Sequence, residues 1–377
     1  MEIEVLAEKL SKALNNVSRI ATSKVTLPVL NNVLIKVKEK KVSLITTNLD
    51  MAIIDFLPVS NSKDGVITVP ARLLAEFVST LPKKEKVTIN IKDTKINIKA
   101  GKYSSTINGA AADDFPELPE IDEKKAVIFK MSTEEFKNSA TQVVVASSND
   151  FNRPALTGVH FYTDNKVLYM IATDGYRVAK KKLINDVKSE IDVTIPANSL
   201  QEVLRSIDDS MEEIEIAFNE DLIRFRLGEI EIISKIIDSE YPPVSNLIPK
   251  SSKVLLEVDR DELVRVVKLA SLFARHATND VIACEAKAPD TFSIYSIANE
   301  YGENISSIDT KVDESGKIFM ISHYLLDALN VIDSPKVSIG FNTEFTGNPI
   351  ETAMVLKNPD SDDYIHTIMP IDSNNVN

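Results

Sequence analysis

Residues 69–82 read VPARLLAEFVSTLP, and the same pattern returns as IPANSLQEVLRSID at 195–208 and as ISHYLLDALNVID at 321–333. The spacing is 126 residues both times. In each copy an extended dipeptide leads into apolar residues three and four apart, which is the period of a helix with one buried face. A fixed period over a whole chain indicates repeated structural units, so the fold has to be worked out from one unit.

A second helical pattern precedes each of these segments. It covers residues 5–20, 131–147 and 258–274, and Leu10, Phe136 and Leu263 fall at matching places in it. Alternating apolar and polar residues follow the later helix of each unit, as in KVTINIKDTKINIKA at 86–100, and this alternation predicts antiparallel strands with one buried face. Each unit of about 125 residues is therefore predicted as an α+β domain with two helices and antiparallel sheets.

Two proline-rich polar stretches separate the units, ADDFPELPEIDEKK at 112–125 and SEYPPVSNLIPKSSK at 239–253. Such segments are typical of linkers. We expect three domains of like topology, at residues 1–123, 124–250 and 251–377. Repeats joined by a constant rotation form a solenoid or close into a ring.

The bulk composition of the 377 residues indicates a cytoplasmic protein. The single cysteine, Cys284, permits no intrachain disulfide and is expected in a buried strand. The N-terminal stretch MEIEVLAEKL does not resemble a signal peptide, and the apolar runs are shorter than the roughly 20 residues of a membrane span. The net charge of −13 argues against general adhesion to nucleic acid, but it permits a local basic surface.

Signals for an enzyme are weak. The ten glycines form no phosphate-binding loop, and the four histidines show no metal-ligand spacing. The acidic pairs Asp113–Asp114 and Asp362–Asp363 are most simply linker and loop residues, although paired carboxylates bind Mg²⁺ in other proteins. We expect no catalytic residue, no metal and no cofactor.

Basic residues share one face of the predicted first helices. In residues 5–20 the apolar face is formed by Leu6, Leu10, Leu14 and Val17, and the basic face by Lys9, Lys12, Asn16 and Arg19. In residues 258–274 and just beyond, the apolar residues are Leu263, Val266, Val267 and Ala270, and the basic ones are Arg265, Lys268 and Arg275. These faces are either solvated surfaces or contacts to the phosphates of a polyanion.

The stretch ATDGYRVA at 172–179 ends an apolar strand. Asp-Gly is a common turn sequence because glycine readily adopts a positive φ. Thr173, Gly175, Tyr176 and Arg177 are therefore either residues of a plain turn or residues at the lip of a binding site.

Several motifs together resemble those of the bacterial sliding clamps, the β subunits of DNA polymerase III holoenzymes. They include TLPVLNNVLI at 26–35, AADDFPELP at 111–119, RPALTGVHF at 153–161, ATDGYRVA at 172–179, SKIIDSEYPP at 234–243 and IMP at 368–370. The resemblance covers essentially the whole chain. It implies a non-catalytic processivity factor in which two chains pair head to tail into a ring of six domains around duplex DNA.

The resemblance also implies the partners. The ring tethers the polymerase catalytic subunit, the clamp loader and other proteins with clamp-binding motifs, and it associates with no membrane. Their peptides dock in a pocket whose lining carries over to Leu156, Thr173, Gly175, Tyr176, Arg177, Val178, Pro242, Asn246, Leu247, Ile368, Met369, Pro370 and Ile371. Asn246 and Asp372 replace residues that are often basic in the family, and the chain continues through SNNVN beyond the point where many clamps end.

The DNA contacts and the ring interface carry over in the same way. The DNA-binding positions are Lys24, Arg72, Arg153, Asn198 and Arg205, with Asn198 in place of a frequent basic residue. The interface positions are Lys102, Ser104 and Ser105 of the first domain and Leu272 and Phe273 of the third. The rival hypotheses are an enzyme on the repeated scaffold and a protein-interaction scaffold that binds no DNA.

Overall fold

The computed structural model describes residues 2–21, 27–59, 61–277, 280–298, 302–343 and 352–371. These residues fall into two compact units. Unit 1 comprises Met1–Glu134 with Glu202–Ile236, and unit 2 comprises Glu135–Gln201 with Ile237–Asn377. No helix among the described residues is long and apolar enough to cross a membrane.

Six α-helices among the described residues confirm the two predicted in each repeat. They are α1 Ala7–Ser18, α2 Ala71–Ser79, α3 Thr133–Val144, α4 Ala197–Ser206, α5 Arg260–Ala277 and α6 Ser322–Val331. Leu10, Phe136 and Leu263 are buried as their spacing predicted. Leu6 does not belong to the apolar face of α1 as predicted, because it ends a strand and is 41% exposed.

The first helix of each repeat begins in the same way. The backbone N–H groups of Ala7, Thr133 and Arg260 donate to carbonyls of Glu85, Glu212 and Pro335, at 2.9, 3.0 and 2.9 Å. Each carbonyl comes from the loop just before a strand of its own repeat. Because the first N–H groups of a helix have no partner within the helix, this bond fixes where the helix starts.

The described residues form twenty-five β-strands. In chain order, β1 to β25 are Glu2–Leu6, Asn32–Lys38, Lys41–Thr47, Met51–Pro58, Asn61–Lys63, Gly65–Pro70, Lys86–Lys92, Lys95–Ala100, Tyr103–Asn108, Val127–Ser132, Gly158–Asp164, Val167–Thr173, Arg177–Ile184, Asp192–Pro196, Glu213–Phe218, Leu222–Leu227, Ile230–Lys235, Val254–Asp259, Val281–Lys287, Thr291–Ala298, Gly302–Asp309, Gly316–Ile321, Lys336–Phe341, Met354–Asn358 and Ser361–Ile368. The pairings are antiparallel throughout, as the alternation predicted.

The two units contain eight-stranded sheets with matching strand orders. In unit 1 the order is β10-β15-β16-β17-β4-β3-β2-β6, and in unit 2, read from the other edge, it is β18-β23-β24-β25-β13-β12-β11-β14. Each sheet is thus composed of strands from two successive repeats, joined where β17 pairs with β4 and where β25 pairs with β13. Unit 1 also has a five-stranded sheet that ends in β9, and unit 2 has a four-stranded sheet that ends in β21.

The helices pack in pairs on the sheets. In unit 1, α1 contacts α2, β3 and β4, and in unit 2, α5 contacts α6, β19 and β20. The interface of the helix pair with the sheets in unit 1 almost completely buries Leu14, Val17 and Leu74. The equivalent interface in unit 2 buries Leu263 and Leu329. Burying each of these side chains stabilises the fold by about 1.5–3 kcal/mol. Cys284 lies fully buried in β19, where burial raises the pKa of its thiol to about 12.

Candidate peptide-binding site and basic helix surfaces

The turn between β12 and β13 is held by its own side chains. The Thr173 hydroxyl donates to the Arg177 carbonyl at 2.6 Å and accepts from the Gly175 N–H at 3.0 Å. The Asp174 carboxylate accepts from the N–H groups of Tyr176 and Arg177, at 2.9 and 3.1 Å. Gly175 has a φ of +97°, a conformation that favours glycine. These bonds fix the direction in which Tyr176 and Arg177 leave the backbone.

Arg177 is buried and held from two sides. Its Nε donates to Asp174 Oδ2 at 3.0 Å, and its Nη1 donates to Asp327 Oδ2 of α6 at 2.7 Å. The guanidinium also lies 4.5 Å from the ring centroid of Tyr324, a cation–π distance. Because removing either carboxylate leaves part of a buried charge without compensation, these contacts keep Arg177 in one orientation.

Tyr176 contrasts with Arg177, because its side chain is 56% exposed. Its ring lies nearly parallel to that of Tyr324, with centroids 6.4 Å apart. Partial burial raises the pKa of the Tyr324 phenol. Tyr324 and Asp327 were not predicted as site residues, although their spacing of three residues places them on one face of α6.

An apolar cluster lies beside the turn. Val178 packs with Ile171 and Val244, and Leu247 and Tyr241 pack against this cluster. Val244 and Leu247 belong to a 3-10 helix, Val244–Leu247, that also contains Asn246, whose side chain is outside the described residues. Pro242 is exposed and its carbonyl accepts from the Val244 N–H at 2.7 Å. The linker between the second and third repeats thus supplies apolar side chains next to β13.

The C-terminal segment runs along the same edge. Ile368 of β25 pairs with Arg177, and the Met369 N–H donates to the Tyr176 carbonyl at 2.8 Å. Met369, Pro370 and Ile371 are half-buried, and Ile371 is held by a bond from its N–H to the Phe319 carbonyl at 2.8 Å. The sheet register therefore brings Thr173–Val178 and Ile368–Met369 together. This proximity cannot be deduced from the sequence, because the two segments are far apart along the chain.

Arg153 and Leu156 complete the surroundings of the turn. Leu156 is buried in a 3-10 helix, Pro154–Thr157, whose N–H at Leu156 bonds to the Arg153 carbonyl. Arg153 donates to Asp150 Oδ2 at 3.2 Å and to the Asp174 carbonyl at 3.4 Å. Its guanidinium, predicted as a DNA contact, thus lies against the Asp174–Gly175 turn with half of the side chain exposed.

The basic face of α1 is partly neutralised within unit 1. Lys12 forms an ion pair with Asp208, and Arg19 donates to Glu202 at 2.7 Å and to the Ser206 hydroxyl at 2.6 Å. Asn16 does not lie on the exposed face as predicted. It is buried and donates to Asp55 Oδ2 at 2.9 Å, because β4 places a buried carboxylate opposite it.

Other helix cations are exposed and form no ion pair within the described part of the chain. They are Lys9 of α1, Arg72 of α2, Lys137 of α3, and Arg265, Lys268 and Arg275 of α5. The apolar residues predicted for α5, Leu263, Val266, Val267 and Ala270, are all buried. Arg205 is exposed on α4 but pairs with Glu202, Asn198 is exposed on α4, and Lys24 lies outside the described residues.

The predicted interface residues lie at surface edges. Ser104 and Ser105 belong to β9, the last strand of its sheet, and Lys102 is exposed in the preceding turn. Leu272 on α5 is 57% exposed, and Phe273 beside it is half-buried. β21, the last strand of the four-stranded sheet, carries Ile305, which is 61% exposed. An exposed strand edge with apolar side chains is a ready surface for pairing with another chain.

Comparison with known proteins finds the same protein family in all three parts of the chain. Residues 1–119, 130–243 and 245–372 match the family models of the N-terminal, central and C-terminal domains of the DNA polymerase III beta subunit. The "Beta sliding clamp" of Bacillus subtilis (strain 168) is 28% identical over 384 residues, covering 98% of this chain and 99% of that protein.

Solved structures agree in fold. The DNA polymerase sliding clamp from Bacillus subtilis is 28% identical and superimposes with a TM-score of 0.91 over 99% of both chains. The DNA polymerase III beta chain from Streptococcus pneumoniae TIGR4 is 28% identical, with a TM-score of 0.90 over 99% of this chain and 100% of that one. With three successive domain matches and a common fold throughout, the chain belongs to the DNA polymerase III beta subunit family.

Proposed function

We propose that this protein is a DNA sliding clamp whose two-chain ring encircles duplex DNA and tethers the polymerase to it. The observation that carries this function is the match of all three beta subunit domains, in order, along the chain. The mechanism is topological, since a closed ring stays on circular DNA however weak each phosphate contact is. Weak, sequence-independent contacts also let the ring slide. The clamp is a processivity factor and not an enzyme.

The three domains are proposed at residues 1–123, 124–250 and 251–377. The recurring helix-start bond at Ala7, Thr133 and Arg260 supports three equivalent units. The family matches begin at residues 1, 130 and 245. In this proposal each eight-stranded sheet is shared by two successive domains.

DNA contact is assigned to the exposed helix cations. Lys9, Arg72, Lys137, Arg265 and Lys268 have no carboxylate partner among the described residues, so their charge is available to phosphates. Lys24, Arg153, Asn198 and Arg205 remain proposed contacts, with the Arg205 charge shared with Glu202. The net charge of −13 then helps release, because the rest of the surface repels DNA.

Partner peptides are proposed to dock beside the 173–178 turn. Apolar walls from Leu156, Val178, Leu247 and Met369 suit the hydrophobic anchors of a linear peptide. Tyr176 is exposed enough to contact a peptide, and the buried ion pairs of Arg177 fix the rim against which it lies. The partners in this proposal are the polymerase catalytic subunit, the clamp loader and other proteins with clamp-binding motifs.

Ring closure is proposed through edge strands β9 of one copy and β21 of the next, with Lys102, Ser104 and Ser105 facing Leu272 and Phe273. Antiparallel pairing of two such edges satisfies the backbone groups of both strands. Ser105, half-buried on β9, contributes little apolar area, which favours a ring that opens readily. The proposed place of action is the bacterial cytoplasm, where chromosomes are replicated.

Retention on DNA tests the function. Loaded on a nicked circular plasmid with a clamp loader, the protein should stay bound at high salt and should leave when the plasmid is linearised. Light scattering should give twice the 41.8 kDa of one chain. Equal retention on linear and circular DNA would refute the topological mechanism. A chain that binds partner peptides but is never retained on DNA would instead support the rival hypothesis of a protein-interaction scaffold.

A further inference from the structure

A second groove, which we call the linker groove, lies in unit 1 between residues 112–120 and one face of the eight-stranded sheet. It is open to solvent and has a volume of about 1060 Å³. Its apolar floor is a packed cluster in which Ile45, Ile54, Phe115 and Ile233 are buried and Leu34, Phe56 and Leu118 are partly buried. Three lysines, Lys36, Lys38 and Lys41, line the strand end of the groove.

The sheet of unit 2 has positions equivalent to those that line the linker groove. In unit 2 these positions are covered by aromatic side chains. Lys36 pairs with Ser43 across β2 and β3, and 126 residues later Tyr162 pairs with Tyr169 across β11 and β12. Leu34 corresponds in the same way to His160, because each lies opposite a threonine of the neighbouring strand, Thr68 or Thr194. Phe115 of the first linker corresponds to Tyr241 of the second.

Four rings cover this face in unit 2. The ring centroids of Tyr169 and Tyr162 are 5.5 Å apart, those of Tyr162 and His160 are 5.4 Å apart, and those of His160 and Tyr241 are 4.6 Å apart. The Lys180 ammonium lies 4.2 Å from the Tyr169 centroid. The sheet position therefore supports a row of aromatic rings under a cation. In unit 1, Ser43, Lys36 and Leu34 interrupt that row.

Positive and negative side chains lie mostly in different parts of the linker groove, with the lysines at the strand end and Glu117 and Glu120 along the linker. Lys38 and Lys41 lie directly opposite each other on β2 and β3, an arrangement that is unfavourable without an anion. Lys41 lies 4.1 Å from the Phe56 ring centroid and 4.0 Å from a Glu229 carboxylate oxygen. Lys36 and Lys38 have no ion pair within the described residues. Glu39 also lies at the strand end, Glu231 lies on the sheet paired with Arg226, and Glu117 and Glu120 lie along the linker.

We propose that the linker groove binds an extended peptide segment of a partner protein in which an aromatic residue adjoins acidic residues. The aromatic ring lies over Ser43, where the small side chain leaves space between its cross-strand neighbours Lys36 and Phe56. The carboxylates bridge Lys38 and Lys41. Repulsion by Glu117 and Glu120 directs the acidic end away from the linker. The site is separate from the one beside Tyr176 and does not depend on it.

The test uses a fluorescein-labelled peptide GFDDG and anisotropy on the full-length protein. Wild type should bind it saturably, and binding should weaken with salt. K38Q/K41Q should lower the affinity at least about tenfold, whereas K92Q/K95Q, an exposed cross-strand lysine pair on β7 and β8, should change it less than about twofold. K36Y/S43Y, which restores the ring row of unit 2, should abolish binding, and circular dichroism should confirm that each variant is folded.

Four results of the peptide-binding measurements would overturn the proposal. They are absence of saturable binding to wild type, retained affinity in K36Y/S43Y, an equal loss in both lysine-pair variants, and loss of binding in Tyr176→Ala, which would place the peptide at the other site. Displacement of the peptide by a short DNA duplex would assign the three lysines to nucleic acid and would also contradict it.

Discussion

Leu49 and Gly175 occupy the same position in two copies of one turn, with φ angles of +77° and +97°. In the first copy the Leu49 N–H donates to the Thr47 hydroxyl, and in the second the Gly175 N–H donates to the Thr173 hydroxyl, at 3.1 and 3.0 Å. The repeat therefore extends to individual hydrogen bonds. Only the second copy has a glycine, the residue that adopts a positive φ without strain.

Leu49→Gly should stabilise the protein. A leucine at positive φ costs about 1 kcal/mol relative to glycine, and the Leu49 side chain is 47% exposed, so little packing is lost. The free energy of unfolding in urea should rise by up to about 1 kcal/mol. Gly175→Ala should have the opposite effect, because its Cβ would lie 3.1 Å from Arg153 Nη1. A loss of stability in Leu49→Gly would contradict the strain argument.

Asp327→Asn should weaken peptide binding beside Tyr176. It removes one of the two charged partners of the buried Arg177 guanidinium, so the side chain that anchors the turn loses its fixed orientation. Affinity for a clamp-binding peptide, measured by calorimetry, should fall about tenfold, or about 1.4 kcal/mol. Asp333→Asn, an exposed carboxylate just beyond α6, is the matched control. Unchanged affinity in Asp327→Asn would remove Asp327 from the site.

His366 should make the protein acid-labile. Complete burial and the nearby Arg177 cation lower the pKa of His366 from 6.5 to about 3. Below pH 6.5 the imidazole is therefore protonated in the unfolded chain but remains neutral in the folded chain. The free energy of unfolding thus falls as pH drops from 6.5 towards 3, by about 2 kcal/mol at pH 5. His366→Gln should flatten this part of the profile of unfolding free energy against pH. An unchanged slope would assign the loss to other groups.

Asp55 should make the folded protein less stable as pH rises, the opposite of the effect of His366. Burial raises the pKa of its carboxyl to about 6, against the effect of the Asn16 amide, which donates to it. The folded chain then takes up a proton before the unfolded chain does, so this contribution to stability is present below about pH 4 and is lost as pH rises through 6. Asp55→Asn should raise stability at pH 7.5 by about 3 kcal/mol, whereas Asp93→Asn, an exposed control, should not.

Arg265→Ala/Lys268→Ala should shorten retention on DNA without affecting peptide affinity. Both side chains are exposed on α5 and have no ion pair among the described residues. Removing two phosphate contacts should lower the slope of log affinity against log salt by about 2. Lys92→Ala/Lys95→Ala removes the same charge from a strand hairpin and should leave the slope unchanged. Equal slopes in the two variants would exclude α5 from the DNA surface.

The sequence by itself determined the repeat, the six helices and the alternation of these helices with antiparallel strands. Buried positions such as Leu10, Phe136 and Leu263 recur with the period of one helix face, and this pattern is local because each element must bury its own apolar side. The turn at Thr173–Arg177 was also visible, since Asp-Gly specifies it within a few residues. The pocket residues were named by resemblance to a family and remain a prediction.

Tertiary structure alone decided the partners of the charged residues. Asn16 was expected on the exposed basic face of α1, yet it is buried against Asp55. The cations of Lys12 and Arg19 are paired with Asp208 and Glu202. Arg177 is held by Asp327, 150 positions along the chain. Charge pairing depends on distances of a few ångströms between elements that the sheet register brings together. No local pattern contains that information. The same is true of the linker groove, which forms only where residues 112–120 fold back against the sheet of unit 1.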